Sequence, residues 1–186
     1  MFILPFLLQK SILLLTIVRN HTIISCGNST KSYLNQRKGF VMESKLHNVI
    51  CKINCLTEEV NSLYHQASLK LGVTDSVSFV LYMTYINDGK CLLYNIYKLS
   101  GISKQTINSA IRKLEMDEII YLEKLNGKSK IVCLTEKGNE FAEKTAKKLY
   151  EAERNAFSSW NDEEINQYLM LIEKHSNSLK EQFEKL

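Results

Sequence analysis

At 186 residues, 45% apolar and 24% charged, the chain has an ordinary globular composition with enough apolar mass for a sizeable core. One proline and seven glycines exclude a turn-rich sandwich or barrel and favour long helices. The five cysteines (Cys26, Cys51, Cys55, Cys91, Cys133) are odd in number, scattered and without a CxxC pair, which excludes a secreted disulfide framework and fits a reducing, cytoplasmic compartment.

The net charge of +4 is unevenly spread. Residues 1–41 carry five bases (Lys10, Arg19, Lys31, Arg37, Lys38) and no acid, whereas residues 42–186 carry 19 bases and 20 acids. Within that body, Lys90 to Lys130 holds eight Lys/Arg against four acids, and Glu136 to Leu186 eight against eleven. A basic island on an otherwise acidic body is the distribution of a focused phosphate-binding surface; chance clustering on a solvated face is the alternative until the island falls on a motif.

In residues 1–41, the apolar run Phe2 to Val18 is broken by Gln9-Lys10-Ser11. It is too short for the roughly 20 apolar residues of a bilayer span, and no basic residue precedes it as a signal peptide requires. Ile23-Ile24-Ser25-Cys26-Gly27 resembles a lipoprotein cleavage box, but Arg19-Asn20-His21 interrupts the run where that reading needs it continuous. Lys38-Gly39 can be encoded by AAAGGA, a ribosome-binding sequence two codons ahead of Met42. Residues 1–41 are therefore expected to be a non-native or disordered extension, with one domain over 42–186 and no membrane partner.

From Glu43 to Lys70, Leu46, Val49, Ile50, Ile53, Leu56, Val60, Leu63, Tyr64 and Ala67 recur at three- and four-residue steps, which predicts one amphipathic helix ending before Gly72. Its apolar stripe is too long for one small domain to cover, which implies a partner chain. Thr74 or Asp75 caps a second helix through Ile86, closed by Asn87-Asp88-Gly89. A short helix over Leu92 to Leu99 follows, then the turn Ser100-Gly101-Ile102. Ser103 caps a third helix running to about Met116, with Ile107, Ala110, Ile111 and Leu114 inward. Short helix, glycine turn and capped helix make a helix-turn-helix signature.

The period then changes to two. Ile119 to Leu125 and Ser129 to Leu134 read as strands joined at Asn126-Gly127, a strong hairpin signal. A basic hairpin directly after a helix-turn-helix is a wing. Thr135 caps a predicted single helix from Glu136 to about Ser158, with Phe141, Ala142, Thr145, Leu149, Ala152 and Phe157 as its stripe. Asn161 with Glu164 forms a capping box for a last helix through Ile165, Tyr168, Leu169, Ile172 and Leu179. The expected fold is mostly α with a small β-hairpin wing: a winged helix-turn-helix lobe plus a helical dimerisation region.

Ser100-Gly101-Ile102-Ser103-Lys104-Gln105-Thr106-Ile107-Asn108, Ile111-Arg112-Lys113-Leu114-Glu115, Glu118-Ile119-Ile120 and Leu134-Thr135-Glu136-Lys137-Gly138, in this order, resemble the multiple antibiotic resistance regulator (MarR) family. The resemblance spans about residues 43–186. It implies a homodimeric DNA-binding regulator, with dimerisation helices over 43–71 and 136–186 and a DNA-binding lobe over 74–134. The sequence departs from the family at two places. Asn126-Gly127-Lys128-Ser129-Lys130 stands where the family's wing carries Asp-x-Arg, and Tyr97 occupies a turn-facing position that is normally small.

An α-helix fits the major groove, where each base pair presents distinct donors and acceptors. Gln105 and Asn108 can pair bidentately with adenine; Arg112 and Lys104 can donate to guanine or phosphate. Ser103, Thr106 and Ser109 complete the exposed face, and Ser103 and Thr106 near the helix N-terminus suit phosphate. Lys124, Lys128, Ser129 and Lys130 are the wing's candidates. Solvation of an exposed helix is the bland alternative.

His47, Cys51 and Cys55 share one helix face, as part of a metal site, an oxidant sensor (Cys51, Cys55) or small residues at a dimer contact. Packing is the preferred reading, so no metal or other cofactor is expected. No phosphate-binding glycine loop, HExxH or supported Ser/His/Asp arrangement points to an enzyme. Tyr82, Tyr85, Tyr94, Tyr97 and Tyr121 are expected to surround the lobe–dimer junction, where they could line a pocket for a small aromatic effector. Two functions follow: a DNA-binding regulator, in repressor form released by a ligand or oxidant, or a non-enzymatic winged-helix interaction module, membrane-tethered if residues 1–41 are native.

Overall fold

The computed structural model describes residues 37–125 and 129–186. Helix α1 (Arg37–Lys70) is followed by α2 (Asp75–Tyr85), strand β1 (Lys90–Leu92), α3 (Leu93–Ser100), α4 (Lys104–Met116), β2 (Ile120–Lys124), β3 (Lys130–Leu134), α5 (Glu136–Lys144), α6 (Ala146–Phe157) and α7 (Asp162–Phe183). The first helix thus begins at Arg37, upstream of the expected Glu43.

Helix α2 is the centre of the core. Thr74 caps it, accepting from the Val77 N–H at 3.4 Å. Every residue from Val77 to Thr84 is buried, the pattern of a helix surrounded on all sides. It touches α1, α3, α4, α5, α6, β1 and β3. The recognition-type helix α4 packs Ile107, Ala110, Ile111 and Leu114 onto it, the four positions its 3.6-residue period assigns inward.

Two elements depart from expectation. Strand β1 has no periodic signal because it is three residues long, yet it pairs antiparallel with β3 (Lys90↔Cys133, Cys91↔Val132, Leu92↔Ile131) and turns Cys91 into the core. The sheet order is β1-β3-β2, with Ile120↔Leu134 to Lys124↔Lys130 forming the hairpin. The expected Asn126-Gly127 turn, with Lys128, lies outside the described residues. Second, the single helix expected over Glu136–Ser158 is two, broken at Thr145 (φ −126°, ψ −82°). The buried Thr145 hydroxyl donates to the Phe141 carbonyl at 2.7 Å, and such back-bonding to residue i−4 bends helices. On both sides of the bend the inward face is kept, with Ala142, Ala146 and Leu149 in the lobe's core, while Ala152 is exposed.

Three contacts tie the lobe to the flanking helices. The Thr135 hydroxyl donates to the Glu118 carbonyl (2.6 Å) and accepts from the Gly138 N–H (2.9 Å). Gly138 sits so close to the chain before β2 that a Cβ there would lie 1.9 Å from Ile119 O. Glu153 of α6 accepts from the hydroxyls of Tyr64 (α1, 2.9 Å) and Tyr82 (α2), clasping three helices. Burial pushes the Glu153 carboxyl above the usual carboxylate range, against the opposing pull of the two hydroxyls.

Helix α7 starts at a complete capping box: Glu164 N–H donates to Asn161 Oδ1 and Asn161 N–H to Glu164 Oε2, both at 2.9 Å. None of its residues is buried. Phe157, Trp160 and Tyr168 join it to α6 with ring centroids 5.1–6.2 Å apart. Leu46, Val49, Ile50, Ile53, Leu56, Val60 and Leu63 of α1 are exposed, as are Met170, Leu171 and Phe183 of α7.

Candidate nucleic-acid interface

Ser103 caps α4, its hydroxyl accepting from the Thr106 N–H at 3.1 Å and lying 2.8 Å from Thr106 Oγ1. The preceding turn is tight because Gly101 takes a left-handed conformation (φ 63°) that a Cβ would disfavour. Ser100, fully buried, accepts from the Ile102 N–H at 3.2 Å and fixes the angle between the two helices.

Ser103, Lys104, Gln105, Thr106, Asn108, Ser109 and Arg112 are all exposed, whereas every apolar residue of α4 except Met116 is buried. The expected outward residues therefore share one polar, cationic face. They are not all unengaged. Ser109 donates to the Gln105 carbonyl (3.0 Å). The Tyr97 hydroxyl donates to Asn108 Oδ1 (2.6 Å), and the Lys104 ammonium lies 5.9 Å from the Tyr97 ring centroid. The sequence marks Tyr97 as a misfit in the turn and as one of five tyrosines around a pocket; its bulk was also the signal that it meets a residue on α4.

On the hairpin, Lys124 and Lys130 are exposed and directly opposite each other in register. Like charges in such a pair repel, so an anion between them relieves a cost the protein otherwise bears. Ser129 is exposed beside them, its carbonyl accepting from the Leu125 N–H at 2.9 Å. Lys128 lies outside the described residues. Glu123 pairs with Lys90 across the sheet (3.4 Å), leaving the lysine pair at the hairpin's outer end.

Between α3, α4 and the hairpin lies a cleft of about 690 Å³, lined in part by Leu92, Tyr94, Tyr97, Ile111, Arg112 and Lys130. The five tyrosines expected around one pocket do not converge. Tyr82 is buried in the Glu153 clasp, Tyr85 stacks edge-on against Tyr150 (6.3 Å), and Tyr121 is exposed on β2, so only Tyr94 and Tyr97 reach the cleft. They separate by element: Tyr82 and Tyr85 of α2 pack toward Glu153 and Tyr150 of α6, whereas Tyr94 and Tyr97 of α3 turn to the cleft beside α4.

Cys51 and Cys55 are exposed on α1, and Cys51 Sγ lies 3.5 Å from His47 Nε2. Among the described residues, no group of three or more His, Cys, Asp or Glu is placed to hold a metal ion. Cys91 is buried, and burial pushes its thiol up to about 11.

Short helix, glycine turn, capped helix and antiparallel hairpin in this order make a winged helix-turn-helix. More particularly, the chain has the fold of MarR family regulators. A MarR family regulator from Neisseria meningitidis superposes with a TM-score of 0.64 at 15% identity, covering 76% of this chain and 97% of that one. The MepR–DNA complex of S. aureus gives 0.55 at 22% identity, covering 68% and 93%. A regulator of Listeria monocytogenes assigned to the MarR family and solved with a 26mer DNA gives 0.55 at 18%, covering 72% and 89%. No family model and no curated protein matches the sequence. Among the described residues, no helix is long and apolar enough to cross a membrane.

Proposed function

We propose that the chain is a cytoplasmic, sequence-specific regulator of transcription that binds double-stranded DNA as a homodimer on a pseudo-palindromic operator. The observation that carries this reading is α4, which buries its apolar residues but Met116 and exposes an unbroken run of groove-compatible polar side chains. A winged helix that docks on protein would expose apolar residues there. The fold's occurrence in two DNA-bound structures supports the same conclusion.

In this reading α4 enters the major groove. Gln105, Asn108 and Arg112 meet base edges, and Ser103, Thr106 and Lys104 meet phosphates near the helix N-terminus. Lys124, Lys130 and Ser129 hold the adjacent backbone, with Lys128 beside them. The second copy covers α1. Positions 46, 49, 53, 56, 60 and 63 alternate three- and four-residue steps, the seam of a helix that packs against another helix. A helix of 34 residues is about 51 Å long, more than its own lobe covers. The regulator acts as a repressor by occupying promoter DNA. Release follows either a small aromatic effector entering the cleft, which lies between the two DNA-contacting elements, or oxidation at Cys51 or Cys55.

A gel shift with the DNA upstream of its own gene, titrated in salt, tests the reading. Binding whose log affinity falls linearly with log salt is expected. No shift of that DNA or of any other duplex at about 50 mM salt, where phosphate contacts are strong, overturns it.

A further inference from the structure

Tyr97 and Asn108 face each other across the turn between α3 and α4, and their contact fixes which way the Asn108 amide points. At 2.6 Å the pair lies within the range of an O–H···O bond and short of the usual 2.9–3.0 Å for an amide N–H donor. The amide oxygen therefore faces Tyr97 and the NH₂ group faces away, on the exposed side of α4. Tyr97 is half-buried, and burial raises its pKa, so its hydroxyl keeps the donated proton at neutral pH. Lys104, one turn ahead of Asn108, lies over the same ring. One side chain from α3 thus props two residues of the exposed face of α4.

The consequence follows from base chemistry. An asparagine reads adenine by using both ends of its amide, accepting from N6–H and donating to N7. Asn108 has its oxygen turned to α3 and offers its donor alone. Donor-only recognition loses adenine's bidentate pairing, keeping one bond to N7 beside an unmatched N6–H donor, and fits better the edges that present acceptors alone, guanine N7 and O6 or thymine O4. Resting on the reading that α4 lies in the major groove, we propose that Tyr97 is a specificity-determining positioning residue: it holds Asn108 as a hydrogen-bond donor, so that Asn108 favours guanine or thymine over adenine.

The test is selection of binding sites from a random duplex pool by the whole 186-residue chain, in parallel with Tyr97→Phe, Asn108→Ala and the double variant. The Asn108→Ala selection locates, as the position where preference flattens, the base that Asn108 reads. Wild type is expected to prefer guanine or thymine there. Tyr97→Phe frees the amide to rotate and is expected to shift the preference toward adenine by about tenfold, within the range of one bidentate contact. Its affinity for nonspecific duplex and its salt slope stay at wild-type values, because a merely structural loss would weaken all sequences alike. The double variant matches Asn108→Ala, since Tyr97 acts through Asn108. Adenine as the wild-type preference, or an unchanged preference in Tyr97→Phe, overturns the proposal and leaves DNA binding standing. Absence of any enriched sequence or duplex binding by wild type sinks both; the wild-type result does not depend on how any variant folds.

Discussion

Replacing Gly138 by alanine sets two effects against each other. Gly138 lies inside α5, where alanine gains roughly 1 kcal/mol of helix propensity. The new Cβ, however, meets Ile119 O at 1.9 Å and Leu134 Cδ2 at 3.3 Å. That carbonyl must move by more than an ångström, yet it accepts from the Thr135 N–H at 3.1 Å and lies 3.2 Å from the Thr135 hydroxyl. Losing such hydrogen bonds costs about 1 kcal/mol each, and overpacking adds roughly 1–3 kcal/mol, so the clash outweighs the propensity gain by about 3 kcal/mol. For a domain of this size that lowers Tm by about 6–12 °C. Thermal unfolding followed by circular dichroism reads it directly. A Gly138→Ala variant melting at or above the wild-type temperature would refute the reasoning and mean that α5 slides freely past the chain before β2.

Gln105→Ala is expected to relax sequence preference by about 1–3 kcal/mol at one position per half-site, whereas Lys130→Ala weakens all duplexes and lowers the salt slope by about 0.9; titrations over a panel of operator mutants separate the two. Val49→Asp together with Ile53→Asp places charge in the exposed seam of α1; from the proposed homodimer, sedimentation is expected to find dimers for the parent chain and monomers for this variant. Glu153 yields a pH prediction. Its carboxyl titrates above the ordinary value of 4.5, so the folded state holds a proton that the unfolded state releases, and stability falls as pH rises through that window. The phenols of Tyr64 and Tyr82 that hold it are pushed above their ordinary range by burial and stay neutral throughout. Urea midpoints at mildly acidic and neutral pH should differ in the parent chain and differ less in Glu153→Gln; equal differences in both would remove Glu153 from the account.

Features written within a few residues were legible in the sequence. The inward set of α4, the Ser103 cap, the Gly101 turn and the Asn161–Glu164 box all depend on neighbours within one or two helical turns, and each stands where the pattern places it. Features made by distant residues were not. Strand β1 exists because β3, some forty residues further on, supplies its partner. The break at Thr145 follows its hydroxyl's bond back to the Phe141 carbonyl, which the amphipathic stripe, continuous through Ala142, Ala146 and Leu149, does not reveal. The Glu153 clasp joins residues 71 and 89 positions apart. At the candidate interface the exposed side chains were readable one by one, but their orientation was not, since Asn108 is turned by a tyrosine on another helix.

The absence of any buried side chain in α7 has a consequence for how the protein comes into being. The lobe's buried core ends at Leu149, with Tyr150 packed against it, so the winged lobe takes no core residue from α7. Folding of the lobe and any contact made through α7 are therefore separable: the lobe packs on its own residues, and α7 is left with its apolar side chains to offer elsewhere.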